Sequence, residues 1–168
     1  REHRVKKEYL ALVYGHIETE SGVIDAPIGK NKSDFRQRDA TALAGGTMRE
    51  ARTVWEMKAR LVDGDGHKYS LLYVRPETGR THQIRAHMKS VGHQVVCDSL
   101  YAHGRLCPAP LTRHALHASK LSLRLPSAPR AVPFRGSEQS RGATGEVSTF
   151  ESPLPADFQT SLATMRPM

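Results

Sequence analysis

Gly79-Arg80-Thr81-His82-Gln83-Ile84-Arg85-Ala86-His87 is the stretch where the hydrophobic period of this 168-residue sequence changes. From Thr81 to Val91 the apolar residues Ile84, Met88 and Val91 recur at i, i+4 and i+7, which is one face of a helix. Thr78 or Thr81 can cap that helix and Gly92 can end it. Upstream the period is two. Thr53, Trp55, Met57, Ala59 and Leu61 alternate with Glu56, Lys58 and Arg60, the pattern of a half-buried strand. Asp63-Gly64-Asp65-Gly66 has the residues of a hairpin turn, and His67–Val74 follows as the partner strand.

Working outward, Lys7–Gly15 (KEYLALVYG) reads as a strand, and Gly22–Ile28 as a short second one. Arg1–Lys7 is basic and fits the end of a surface helix. Lys30–Met48, polar and holding Gly45-Gly46, reads as a loop. Leu121, Leu123 and Leu125 alternate with Ser122 and Arg124 as another strand, and Phe158–Met165 reads as a short helix. Ser127–Thr149 is rich in Ser, Pro, Gly, Ala and Arg and is expected to be a flexible insertion, since it cannot bury enough apolar area to offset its ordering entropy. Strands outnumber helices and neighbour one another as hairpins. The expected class is α+β, with a mixed, mainly antiparallel sheet flanked by a few helices.

Bulk chemistry narrows the function. The formal net charge is +8, and Arg supplies 17 of the 25 basic residues. Arg-rich excess suits phosphate and stacks on bases; a merely soluble basic surface has the same arithmetic. No apolar run is long enough to span a membrane. The first residues, lacking Met and an apolar core, show no signal peptide, and the chain is expected to begin mid-protein. Cys97 and Cys107 fit no zinc-finger spacing and make no disulfide scaffold, so a reducing intracellular compartment is expected: nucleus, mitochondrion or cytoplasm.

Gly79–His87 also concentrates polar, charged and aromatic groups in the first turns of its helix. Arg85 follows Ile84, so it lies near the apolar face and can reach a buried anion. A helix start already offers free N–H groups, so an anion or RNA-phosphate site is physically sound, and so is a solvated helix start. Six of the nine His fall between His82 and His117. His82 and His87 are not at the i, i+4 spacing of zinc helices, and His114 and His117 have no acidic neighbour, so no metal is expected. No P-loop, G-x-S-x-G or G-x-G-x-x-G occurs.

At this point a family resemblance becomes specific. GRTHQIRAH, followed by Gly92-His93-Gln94-Val95-Val96-Cys97-Asp98 and Tyr101, resembles the signature of the RluA class of RNA pseudouridine synthases. Lys7–Gly15 is similar to that family's K-x-Y-x-A-x-V-x-G strand, and Gly22–Ile28 to its G-x-I-x-x-P-I segment. Glu50–Thr53, Arg113–Ala118 and Phe150–Phe158 resemble three further motifs in the family's order. The pattern is departed from at Gln94, where Pro is usual, and at Cys97, where Gly is usual. The larger departure concerns the family's nucleophilic aspartate, which stands in an R-L-D-x-x-T-S-G motif. None of Asp25, Asp34, Asp39, Asp63, Asp65, Asp98 or Asp157 has those neighbours.

The resemblance implies isomerisation of uridine to pseudouridine in structured RNA, without cofactor or metal, by a monomer. It implies that Tyr9 is the active-site tyrosine stacking on the flipped base, and that Arg85 pairs with the catalytic Asp. Arg80, Thr81, His82 and Gln83 would hold the nucleotide or its phosphates, and Ile84 would line the pocket. Arg113 and His114 would contact RNA or serve the structure, and Asp98 and Tyr101 would brace the loop. Residues 1–168 are then expected to be the C-terminal two-thirds of a catalytic domain, inactive alone and with a sheet edge exposed. The alternative is a catalytically inactive RNA-binding or ribosome-assembly relative that keeps the fold.

Overall fold

The computed structural model describes residues 5–124 and 146–168. In chain order its elements are β1 (Val5–Tyr14), β2 (Ser21–Asp25), β3 (Ile28–Asn31), β4 (Arg38–Asp39), β5 (Ala44–Arg49), β6 (Arg52–Val62) and β7 (Lys68–Pro76). Then follow α1 (Gln83–Ser90), β8 (Leu116–Arg124), β9 (Val147–Glu151), α2 (Ala156–Ala163) and β10 (Arg166–Pro167). The large sheet runs β10-β6-β7-β1-β8-β9, with β2 also paired to β6. Among the described residues every ladder is antiparallel, so the expected α+β class stands while its mixed character does not.

β1 sits in the middle of this sheet, between β7 and β8, and its sequence shows why. Leu10 to Tyr14 is apolar without a break, as a strand covered on both faces must be. Leu10, Leu12 and Tyr14 join Leu71, Tyr69 and Leu61 in one core, which Phe158 of α2 seals. Ala11 and Val13 join Leu72, Val74 and Trp55 in a second core on the opposite face, under Ile84 and Met88 of α1. Burying side chains of this size contributes roughly 1.5–3 kcal/mol each, so β1 is the member that both layers need.

β6 is less regular than its sequence suggests. A bulge between Met57 and Ala59 shifts its register against β7. Trp55 and Met57 therefore belong to the core under α1, while Ala59 and Leu61 belong to the opposite core. One extra residue in a strand reverses the face of everything beyond it. Gly22 of β2 faces Trp55, and a Cβ there would meet the indole at 2.5 Å, so only glycine fits. The turn after β6 is built on Asp63, whose carboxylate accepts from the Asp65 and His67 N–H groups and from the Tyr69 hydroxyl. Gly66 supplies the positive φ of 86°.

Several expectations are corrected. Val5–Lys7 are strand rather than helix end. Lys30–Met48 is no simple loop: its two ends and Arg38–Asp39 in its middle take part in a separate three-stranded sheet, β4-β3-β5. Val147–Thr149 belong to β9, so the expected insertion ends too late; its 127–145 portion lies outside the described residues. Neither Thr78 nor Thr81 caps α1. His82 is the N-cap, in left-handed backbone at φ 55°, with no side-chain cap. Gly92 ends the helix as expected, at φ 84°. Val91, however, is exposed. Cys97 and Cys107 are joined in a disulfide, with Cα atoms 4.9 Å apart, which clips the loop after α1. The Tyr14 hydroxyl ties the same loop down, donating to the Leu106 carbonyl and accepting from the Cys97 N–H.

Candidate active-site cleft around Arg85

The site starts from two accidents of local structure. A register shift between Glu8 and Tyr9 in the β1–β8 pairing brings Tyr9 opposite Ala118. The left-handed His82 then turns the chain sharply into α1. Such backbone costs a non-glycine residue of order 1 kcal/mol, and it clusters at sites of function. Between these two points lies a cleft of about 260 Å³ lined by Lys7, Tyr9, Arg80, His82, Ile84 and Arg85, among others. Among the described residues no carboxylate lines it.

Arg85 is held from beneath. Its Nε donates to Oδ2 of Asp98 at 2.6 Å and its Nη2 to Oδ1 at 2.7 Å, a fork-to-fork ion pair. Asp98 is fully buried, and the arginine side chain is 15% exposed toward the cleft. Burial alone pushes the Asp98 carboxyl up. The Arg85 guanidinium and the Tyr101 and Leu100 N–H groups outweigh it, so the group stays below the usual carboxylate range. The guanidinium carbon also lies 4.8 Å from the centre of the Tyr101 ring. The pair uses two of the five N–H donors of Arg85, and among the described residues the others have no partner.

Tyr101 links this pair to His82. Its hydroxyl meets His82 Nδ1 at 3.1 Å and accepts the Arg38 N–H at 2.7 Å. Burial, then the Arg85 and Arg38 charges, push the His82 imidazole below its usual pKa, which favours its neutral form. His114 is shifted downward too, by burial first and then by Arg85, which puts it within electrostatic range of the site.

The other residues singled out from sequence are placed differently. Gln83 lies on the cleft wall, but its amide is committed inside the protein. Oε1 accepts from the Thr78 hydroxyl and the Arg80 N–H; Nε2 donates to the Arg52 carbonyl and to Thr53 Oγ1. Arg80 borders the cleft with its Nε on the Glu50 carbonyl. Ile84 is buried and forms part of both the cleft wall and the core. Thr81 is exposed and outside the lining, and Arg113 is paired with Asp157 at 3.1 Å. His87 is a core residue, bonded to Thr53 Oγ1 and the Ala26 carbonyl. Sequence reasoning missed Lys7 and Arg38. Lys7 had a usable signal, since it stands two positions from Tyr9 on a strand and so shares its face.

Three comparisons bear on this cleft. Residues 1–90 match the family model for RNA pseudouridylate synthase. The chain is 36% identical to a ribosomal large subunit pseudouridine synthase D of Nitrosomonas europaea, over 99% of this chain and 42% of that protein. It is 41% identical to an uncharacterized RNA pseudouridine synthase of Chloroflexus aurantiacus, over 93% of this chain and 41% of the relative. Among solved structures it is similar to human RNA pseudouridylate synthase domain containing 1. That similarity has a TM-score of 0.72 and 26% identity, and it covers 99% of this chain and 61% of that one.

The cleft thus lies between the central strand and α1 of an antiparallel sheet whose fold is shared with a solved RNA pseudouridylate synthase domain. The chain belongs to the RNA pseudouridylate synthase family. It spans less than half the length of the curated relatives named above.

Proposed function

We propose that this chain is the Tyr9- and Arg85-bearing part of an RNA pseudouridine synthase, which isomerises uridine to pseudouridine in structured RNA. What supports the reading is one observation: Tyr9 and Arg85 line a single cleft in which no described carboxylate stands. An arginine already fixed by a buried aspartate, with donors to spare, is a seat for a second carboxylate. In this proposal that carboxylate is the family's nucleophilic aspartate, contributed by residues outside the 168.

The chemistry then runs in order. The target uridine leaves its stack and enters the cleft, a cost of a few kcal/mol that a mismatched or single-stranded base lowers. Tyr9 stacks on the uracil and Ile84 forms the wall. The carboxylate, kept ionised by Arg85, starts cleavage of the C1′–N1 bond, by attack or by proton abstraction. The uracil turns and rejoins through C5, and Tyr9 assists removal of the C5 proton. No metal or cofactor takes part. The substrate is ribosomal or transfer RNA, and the name of the Nitrosomonas relative favours the ribosomal one. The protein acts inside the cell as a monomer.

The test is tritium release from RNA carrying uridine labelled at C5, with the protein that contains the complete catalytic domain. Release is expected. Tyr9→Phe keeps the stacking ring and removes the hydroxyl, so release should slow by about 10²-fold or more, as for loss of an acid–base group, with RNA affinity little changed. No release from the unsubstituted protein would leave only the binding alternative.

A further inference from the structure

Between Ile28 and Arg49 the chain leaves the main sheet and builds the small sheet β4-β3-β5. The turn joining β3 to β4 carries Phe35, which is 82% exposed, more than any other large apolar side chain among the described residues. A lone exposed apolar side chain is ordinary on a protein surface, so the case for Phe35 rests on what surrounds it.

The turn that carries Phe35 is rigid. Asn31 Oδ1 accepts from the Ser33 and Asp34 N–H groups at 2.8 and 2.9 Å, and its Nδ2 donates to the buried Asp39 carboxylate at 2.9 Å. Spanning Phe35 in the chain, the Asp34 carboxylate accepts from the Arg36 N–H, Nε and Nη2, all within 3.0 Å. Phe35 thus stands between two clamped neighbours, so little backbone freedom is left to lose on binding.

The surroundings are cationic. Lys30 and Lys32 are exposed and enter no ion pair among the described residues. Both acids of the small sheet are already engaged, Asp34 by Arg36 and Asp39 by Asn31, Thr41 and Lys89. The sheet is also fastened to the cleft. The Arg38 N–H donates to the Tyr101 hydroxyl, which meets His82, and Lys89 of α1 donates to Gln37. Rigid aromatic, free lysines and continuity with the cleft are the parts of a single-strand platform, where bases stack on rings and phosphates meet cations.

We propose that the β3–β4 turn binds an unpaired nucleotide of the RNA flanking the target uridine, its base stacked on Phe35 and its phosphates on Lys30 and Lys32. This rests on the reading that the cleft takes RNA.

The test is a fluorescence-anisotropy titration of the complete protein with two labelled RNAs of equal length, a hairpin with an unpaired loop and a blunt duplex. Phe35→Ala should raise Kd for the hairpin about 10-fold, the scale of one lost base–aromatic stack, and leave the duplex within twofold. Phe35→Trp should restore hairpin affinity. The salt slope should be unchanged by Phe35→Ala and shallower by about 1 in Lys32→Ala. The melting temperature should not move, because Phe35 packs on no core. Hairpin binding by Phe35→Ala within twofold of wild type, or equal weakening on both RNAs, overturns this inference and leaves the cleft reading intact. Failure of the wild type to bind either RNA overturns both.

Discussion

Arg85→Ala, made in the protein with the complete catalytic domain, is expected to cut tritium release by about 10²–10³-fold while RNA binding survives. The size follows from what the guanidinium does. In the proposed reading it is a preorganised charge, mostly buried at 15% exposure, and removing one such group typically costs 10²–10³ in rate. Without it, a carboxylate entering the cleft loses the opposite charge that keeps it ionised. Binding should persist because most contact energy with RNA is carried by other cations. The substitution also strands Asp98, which is fully buried, so thermal stability is measured on the same sample. Arg85→Lys separates the two effects. It keeps a positive charge over Asp98 and loses the two-pronged geometry, so it should recover much of the stability and little of the turnover. Lost binding with intact turnover per bound RNA would sink the assignment.

Asp98→Ala is expected to be the most destabilising single change at the site, costing about 3–5 kcal/mol. That is the usual range when one partner of a buried ion pair is removed. The carboxylate does three jobs at once: it forks onto Arg85 and accepts the N–H groups of Leu100 and Tyr101, which shape the loop. The same pair predicts a pH dependence. The native Asp98 pKa lies below its unfolded value, because Arg85 and the loop N–H groups outweigh the effect of burial. Its contribution is therefore complete above the unfolded carboxylate pKa of about 4 and is lost as pH falls through the native value. Asp98→Asn should flatten that acid limb of the denaturation curve. An unchanged limb in Asp98→Asn, or a loss under 1 kcal/mol in Asp98→Ala, would show that the pair does not hold the loop.

Much of the fold could be read before any coordinates. The Tyr-, Leu- and Val-rich run of Lys7–Gly15 reads as a strand, and the change of period at Gly79 marks α1. What escaped is what depends on partners. The small sheet β4-β3-β5 has a two-residue member and a Gly-Gly in another, so no local alternation announces it. The bulge in β6 leaves the alternation of Thr53–Leu61 intact on paper and splits it between two cores in space. Cys97 and Cys107 pair because a folded loop returns one to the other, which composition cannot say.

The site divides in the same way. The place of Arg85 next to the apolar face of its helix was legible, as was the chemistry of a cation beside a helix start. Its partner was not. Asp98 is 13 residues away in sequence, beyond the end of the helix, and only the loop that carries Tyr101 brings it under the guanidinium. Gln83 illustrates the converse. Its neighbours suggested a ligand contact, but Thr78, Arg80, Arg52 and Thr53 occupy all of its amide.

The central claim is that this chain holds the arginine and tyrosine of the cleft while the reacting carboxylate comes from outside residues 1–168. One assay addresses it directly: tritium release from C5-labelled uridine RNA by the 168-residue chain, run beside the same chain extended upstream through an R-L-D-x-x-T-S-G segment. The account predicts no release from the chain alone and release from the extended protein. Release by the 168 residues on their own would contradict it.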